Sequence, residues 1–232
     1  MKTIALLGQK GGSGKTTLST ALAVQAAIKG KSVALIDLDP QGSATKWAEL
    51  RSDDNPAVIS CQIFMLEKML DQARAGGADF VFIDTPGKIE QAAIEAAKFA
   101  DLALIPVRAT AFDLNALKEL SSLLSIAGDP KSYVVINAAP AQGTRHEDAK
   151  AVIEGLHGMK VAPVHLCQRN AYADATITGQ TATEYEPRGK AAQEIASLYS
   201  LVTSITQSLN NENSQPLRNG KRHGKTKLAT AS

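Results

Sequence analysis

The sequence predicts an α/β chain built on a mostly parallel, twisted sheet with helices on both faces. Three observations carry that expectation. Short apolar runs recur between segments of helical pattern, at Ile4–Leu7, Val33–Ile36, Phe80–Ile83, Leu102–Val107 and Tyr133–Ile136, with a later strand expected at Lys160–Val164. The runs are apolar at successive positions, as strands buried on both faces must be. The first run leads into a glycine-rich loop, Lys10-Gly-Gly-Ser-Gly-Lys-Thr-Thr17, followed by a helical stretch to about Gly30. In such a sheet ligand chemistry gathers at the C-terminal strand ends, where Gly8, Asp37, Asp84, Pro106 and Asn137 fall.

The loop is the first element with a chemical reading. Gly11, Gly12 and Gly14 permit backbone torsions closed to other residues and keep Cβ atoms away from a ligand, so the N–H groups of the loop, Ser13 included, can converge on phosphate oxygens. Thr16 and Thr17 open the helix, whose unsatisfied N–H groups and positive dipole end add to the attraction. Lys15 is placed to meet the β- and γ-phosphates, and the Thr16 hydroxyl to ligate magnesium. The loop departs from the usual phosphate-loop pattern: Gln9 stands where the pattern has glycine, and a second lysine, Lys10, stands near the entrance. Lys10 is on the wrong side of the loop to duplicate Lys15, and the spacing by itself shows only that it is available, to a neighbouring subunit among others. The competing reading is a glycine-rich turn with solvated lysines.

The second strand ends in Val33-Ala-Leu-Ile-Asp-Leu-Asp-Pro-Gln-Gly42, which sets two carboxylates, Asp37 and Asp39, beside the loop. Strand alternation points both toward one face. Asp37 reads as support for the magnesium shell or for Lys15, although both aspartates also suit a turn or a helix N-cap. The third apolar strand, Phe80-Val-Phe-Ile-Asp84, ends in an acid that can hold magnesium through a water, as suits an ion reluctant to shed its hydration. Asn137, at the end of Tyr133-Val-Val-Ile-Asn137, carries an amide able both to donate and to accept.

The bulk numbers bound the rest. A chain of 232 residues with 44% hydrophobic content suits one α/β domain, taken as residues 1–209. From about Asn210 the composition turns polar and then basic, and residues 210–232 read as a disordered tail whose five basic residues either touch a polyanion or are simply solvated. Cys61 and Cys167 form no CxxC pair, which argues against a disulfide framework and fits a reducing cytoplasm. No apolar run approaches the ~20 residues that cross a bilayer, and Leu217 and Leu228 are too sparse for an amphipathic anchor. A net charge of +2, from 25 basic and 23 acidic residues, leaves any nucleic-acid contact to local clustering.

Lys10 to Thr16 match the KGGxGKT motif residue for residue, and the chain resembles the deviant Walker A ATPases of the ParA/MinD group, a P-loop NTPase fold. The resemblance spans about residues 2 to 209, with its sharp motifs in the first ninety. It implies ATP and magnesium as ligands and a face-to-face homodimer with ATP, in which Lys10 reaches the partner's nucleotide. Asp37-Leu-Asp-Pro-Gln-Gly42 resembles that family's switch I, which implies that Asp39 orients the attacking water. Asp84 resembles the Walker B acid, and Thr85-Pro-Gly87 resembles switch II. Asn137 resembles the adenine-reading asparagine, and the absence of NKxD at this strand favours ATP over GTP.

The stretch from Gln168-Arg-Asn-Ala-Tyr172 to Lys190-Ala-Ala-Gln-Glu-Ile195 resembles ParA-type partition ATPases, which bind DNA without sequence preference through surface cations. Arg169, Arg188 and Lys190 are the candidates here. A chain starting at the catalytic core leaves no room for the N-terminal helix-turn-helix domain of the larger forms. The resemblance therefore implies a short, nucleoid-associated, cytoplasmic partition ATPase, slow alone and stimulated by a centromere-binding partner protein, with no membrane attachment. Two other readings stand beside it: the same switch positioning a protein cargo, and an ATP-dependent metabolic synthase.

Overall fold

A computed structural model describes residues 1–157 and 159–213. In chain order the elements are β1 (Lys2–Leu6), α1 (Lys15–Ile28), β2 (Val33–Asp37), α2 (Ser43–Glu49), β3 (Ala57–Ser60), a short 3-10 turn at Ile63–Met65, α3 (Leu66–Ala75), β4 (Phe80–Asp84), α4 (Glu90–Phe99) and β5 (Leu102–Val107). They continue with α5 (Ala111–Ile126), β6 (Ser132–Ile136), α6 (Arg145–His157), α7 (Asn170–Asp174), a 3-10 turn at Ala175–Thr178, α8 (Ala182–Tyr185) and α9 (Lys190–Asn213).

Six strands among the described residues form one parallel sheet in the order β3-β2-β4-β1-β5-β6. Strand alternation divides their side chains between two cores. Ala5, Ile36, Ile83, Ile105 and Val134 face a layer that includes Leu70 of α3, Ala96 of α4, Leu120 of α5 and Ile153 of α6. Ile4, Leu35, Phe82, Leu104 and Val135 face Leu22 of α1, Trp47 of α2 and Leu198 and Val202 of α9. Both sheet faces are thus buried, which is why the strands carry unbroken apolar runs.

Five of the expected strands form, Leu102–Val107 as expected and the others with an end shifted by at most two residues. The sixth does not. Lys160–Val164 makes a single bridge, Val161 to Val134, with the Val134 N–H donating to the Lys160 carbonyl and the Ala162 N–H to the Val134 carbonyl. Pairing with β6 resumes only at Leu166, whose N–H donates to the Ile136 carbonyl. The sheet's outer strand on the other side is β3, which the apolar pattern missed because Ala57, Ile59 and Ser60 are exposed at the edge. Helix α9 runs to Asn213, past the compositional change at Asn210, and residues 214–232 of the expected tail lie outside the described residues. Cys61 and Cys167 are free thiols, one half-buried and one buried. No helix among the described residues is long and apolar enough to cross a membrane.

Strand β1 lies between β4 and β5, and the chain leaves it toward β2 on the far side of β4. The register sets Leu6, Asp84 and Asp37 side by side at the ends of three neighbouring strands. The loop after β1 therefore emerges directly above two acids that are 47 residues apart in sequence.

Candidate nucleotide site

The loop from Gly8 to Gly14 is shaped by two glycines in the left-handed region, Gly12 at φ 75° and Gly14 at φ 101°. Gly11 needs no such freedom; it is exposed. Gly14 also permits a close approach, since a Cβ there would overlap the Asn137 amide. That amide donates from Nδ2 to the Ser13 carbonyl at 2.7 Å, tying the end of β6 to the loop. On the opposite side Gly87, just after β4, packs on the loop backbone so closely that a Cβ would lie 2.8 Å from the Gly11 nitrogen. The phosphate loop is thus clasped between the chain ends of β4 and β6.

Lys15 opens α1 and is buried, with 6% of its surface exposed. Its ammonium donates to the Lys10 carbonyl at 3.1 Å. Burial lowers the Lys15 pKa, against the opposing pull of Asp84 and Asp39. Lys10 itself is half-buried at the loop entrance. Thr16 donates its hydroxyl to Asp84 Oδ2 at 2.6 Å, while Asp84 Oδ1 is buried with no hydrogen-bond partner. Burial pushes the Asp84 carboxyl up to about 7; the Thr16 hydrogen bond and Lys15 lower it, and Asp37 and Asp39 raise it further. A wholly buried acid with an orphaned oxygen, hydrogen-bonded through its other oxygen to a hydroxyl, is a donor pair that fits magnesium. Hard oxygen donors of this kind, one carboxylate and one hydroxyl, leave room for the waters and phosphate oxygens the ion prefers.

Asp37 serves as the cap that its position also suits. Its carboxylate is fully buried and capped by protein donors: Oδ1 accepts the Asp39 N–H at 3.0 Å, and Oδ2 accepts the N–H groups of Ala44 and Thr45 and the Thr45 hydroxyl. The N-cap position of α2 is Gly42, which has no side chain to offer, so the helix's orphan N–H groups turn to Asp37. Asp37 thus caps the helix, one of the readings its position allowed, and none of these contacts is to Lys15. Asp39 is half-exposed in a turn, with Oδ1 accepting the Gln41 N–H at 2.9 Å.

Arg169, a candidate DNA contact, is engaged within the fold. Its guanidinium grips Glu194 Oε1 through Nε at 2.9 Å and through a terminal nitrogen at 2.6 Å, so its charge is neutralised within the fold and it ties α7 to α9. Arg188 and Lys190 are exposed. Asn137, expected at a base, holds the loop with its Nδ2, and nothing in that contact bears on adenine.

Sequence reasoning missed Arg108. It follows β5 and lies over the loop, with a terminal nitrogen 3.7 Å from where a Gly12 Cβ would be. Together with Thr17, Ala138, Arg145, Gln168 and Tyr172 it lines a cavity of about 590 Å³ beside the loop. The strand-end rule that picked out Pro106 would have found Arg108 two residues later, since β5 continues to Val107.

The chain matches the CobQ/CobB/MinD/ParA nucleotide binding domain over residues 4–182. It is 26% identical over 199 residues to the maintenance of carboxysome distribution protein A of Halothiobacillus neapolitanus, which covers 83% of this chain and 91% of that protein. It is 24% identical over 242 residues to the chromosome-partitioning ATPase Soj of Thermus thermophilus, covering 89% of this chain and 97% of that one. Its fold is similar to that of the septum site-determining protein MinD complexed with Mg-ADP from Pyrococcus horikoshii, at a TM-score of 0.73 and 19% identity over 88% of this chain and 96% of the other. With a glycine loop clasped over a buried lysine and an acid–hydroxyl pair suited to magnesium, the chain belongs to the CobQ/CobB/MinD/ParA nucleotide-binding family and is a P-loop ATPase that uses ATP and magnesium.

Proposed function

We propose that the chain is a dimerising ATP switch that binds duplex DNA non-specifically in its ATP state and is released when hydrolysis is stimulated by a partner protein, so segregating a plasmid or chromosomal origin. The observation that carries this reading is Lys10, half-buried at the mouth of a loop whose other lysine, Lys15, is buried and donates to the Lys10 carbonyl. A second ammonium at the entrance is of use to the nucleotide of a facing copy. The homology to a chromosome-partitioning ATPase supports the DNA cargo.

In this reading the loop N–H groups and Lys15 hold the β- and γ-phosphates, and Thr17 and Arg108 take the part of the nucleotide that enters the adjoining cavity. Asn137 sits at the same end and reads the base. Thr16 and Asp84 hold magnesium, which when bound neutralises charge on the transferred phosphoryl group. Asp39 orients the water for in-line attack, and Lys10 of the facing copy completes the positive environment of the leaving phosphates. Gly87, packed on the loop, lets the segment leading to α4 sense what the loop holds.

Asp84→Asn separates the metal from the fold. The substitution removes a buried charge, so the apo protein is expected to be as stable as the parent or more stable in thermal melts at pH 8. Magnesium is then expected to give no increase in ATP affinity, and turnover to fall by about a hundredfold. A variant whose ATP binding still tightens with magnesium would remove Asp84 from the metal site.

DNA transport is tested by binding to arbitrary duplex DNA at varied salt with ATP, ADP or no nucleotide. Binding is expected with ATP alone and to weaken steeply with salt, as phosphate contacts require. Arg188→Ala with Lys190→Ala is expected to lower the slope of log affinity against log salt by about 2 per protomer, with ATP hydrolysis in the absence of DNA unchanged. DNA affinity that ignores the nucleotide would end this proposal.

A second reading, the same switch positioning a protein cargo on the nucleoid, is favoured by the homology to a carboxysome distribution protein. Deleting the gene separates the two: a partition ATPase leaves cells losing a replicon, whereas a cargo positioner leaves the replicon stable and a protein assembly clumped.

A further inference from the structure

The turn that carries Asp39 runs directly into α2, a helix of seven residues. Two turns of helix have little stability of their own, so α2 points wherever its contacts aim it. Its N-terminal end is fixed by the Asp37 cap described above, which also holds the Asp39 N–H. Its C-terminal end is fixed by residues more than 120 positions away in sequence. The Trp47 indole N–H donates to the Gln180 carbonyl at 3.0 Å. Arg51 donates to the Gly179 carbonyl at 2.9 Å and grips both oxygens of Glu184, at 3.0 and 2.9 Å. The Arg51 guanidinium also stacks over the Trp47 ring, 4.7 Å from its centroid.

This contact is built for geometry more than for strength. The Arg51 side chain is only 5% exposed and its Nε has no hydrogen-bond partner, so the ion pair bears a desolvation cost that an apolar contact would avoid. What a forked guanidinium supplies is a fixed angle. The receiving side is equally constrained. Glu184 Oε2 accepts the Thr181 N–H and hydroxyl in a capping box. Gly179 lies at φ 67°, and a Cβ there would come within 2.7 Å of the Leu50 backbone, so only glycine lets the two segments meet.

We propose that Arg51 and Glu184 are positioning residues for ATP hydrolysis: clamped through Gly179, they aim α2 and thereby set Asp39 against the attacking water. The clamp rests on the role given to Asp39 above. It acts on turnover and not on ATP affinity, because none of its members lies in the phosphate loop.

The test uses the full chain in steady-state hydrolysis and in amide hydrogen exchange. Arg51→Met and Gly179→Ala are each expected to lower kcat about tenfold with KM for ATP within about twofold of the parent, the mark of misplacement without lost binding. Exchange over residues 39–46 is expected to speed up about tenfold in both, with or without nucleotide. Arg51→Lys, which keeps one hydrogen bond and the charge, is expected to recover part of kcat, and with Gly179→Ala it decides the matter if Arg51→Met does not fold. Unchanged kcat in the folded variants, unchanged exchange at 39–46, or a loss that falls on KM would each overturn the clamp. Asp39→Ala run alongside separates the two ideas. If it retains parental turnover, the role of Asp39 is wrong; if it is inactive while the clamp variants turn over normally, only the clamp is wrong.

Discussion

Gly14→Ala is expected to reduce ATP affinity by about a hundredfold or more while the sheet remains folded. Two independent penalties meet at this position. The backbone there is left-handed at φ 101°, which an alanine resists, and the added Cβ would overlap the Asn137 amide and stand 3.3 Å from Asn137 Cγ. Either the loop shifts or Asn137 withdraws from the Ser13 carbonyl, and both change the curvature that gathers the N–H groups around a phosphate. The strain itself is expected to cost roughly 1–3 kcal/mol of stability. Adding Asn137→Ala to the variant removes the overlap and not the torsional strain, so it is expected to recover part of the melting temperature and little of the affinity. Titration calorimetry with a non-cleavable triphosphate, together with thermal melts of both variants, checks the two penalties separately. Parental affinity in Gly14→Ala would mean that the loop does not bind phosphate in this shape.

Lys10→Ala is expected to leave ATP affinity within a few-fold of the parent while dimer formation disappears and hydrolysis falls by about a hundredfold. The separation of effects follows from one contact. Lys15 donates to the main-chain carbonyl of Lys10, which survives the substitution, so the lysine proposed to meet the phosphates within the protomer stays in place. What is lost is the side chain at the loop entrance. Sedimentation of parent and variant with a non-cleavable triphosphate, and hydrolysis measured across protein concentrations, check both halves. Parental turnover in a monomeric variant would remove the facing copy from the mechanism and with it the reason for a second lysine.

The strands and the core of the site were legible because their signals are local. Five apolar runs needed only burial on both faces to become β1, β2, β4, β5 and β6, and the loop from Lys10 to Thr17 carries its chemistry within eight consecutive residues. Asp84 and Thr16, 68 positions apart, meet because a parallel sheet brings strand ends to one edge. The errors fall where a side chain's partner is set by packing. Asp37 could be read as a site acid or as a cap, and packing settled that it caps α2, because Gly42 offers none. Arg169 looked like a surface cation and is spent on Glu194. The edge strand β3 had too few buried positions to register, and the expected strand at Lys160–Val164 makes one bridge only.

By itself the sequence determined the layered α/β architecture, the phosphate loop, the acid that faces it and the nucleotide chemistry, because strand burial and loop torsions depend on residues close along the chain. Only the tertiary structure decided which charges are available. Arg51 with Glu184, Arg169 with Glu194, and Arg108 over Gly12 are meetings of distant segments. Whether a charged side chain binds a ligand or holds the fold depends on what packs within a few ångströms of it, and periodicity and motif spacing carry no record of that distance.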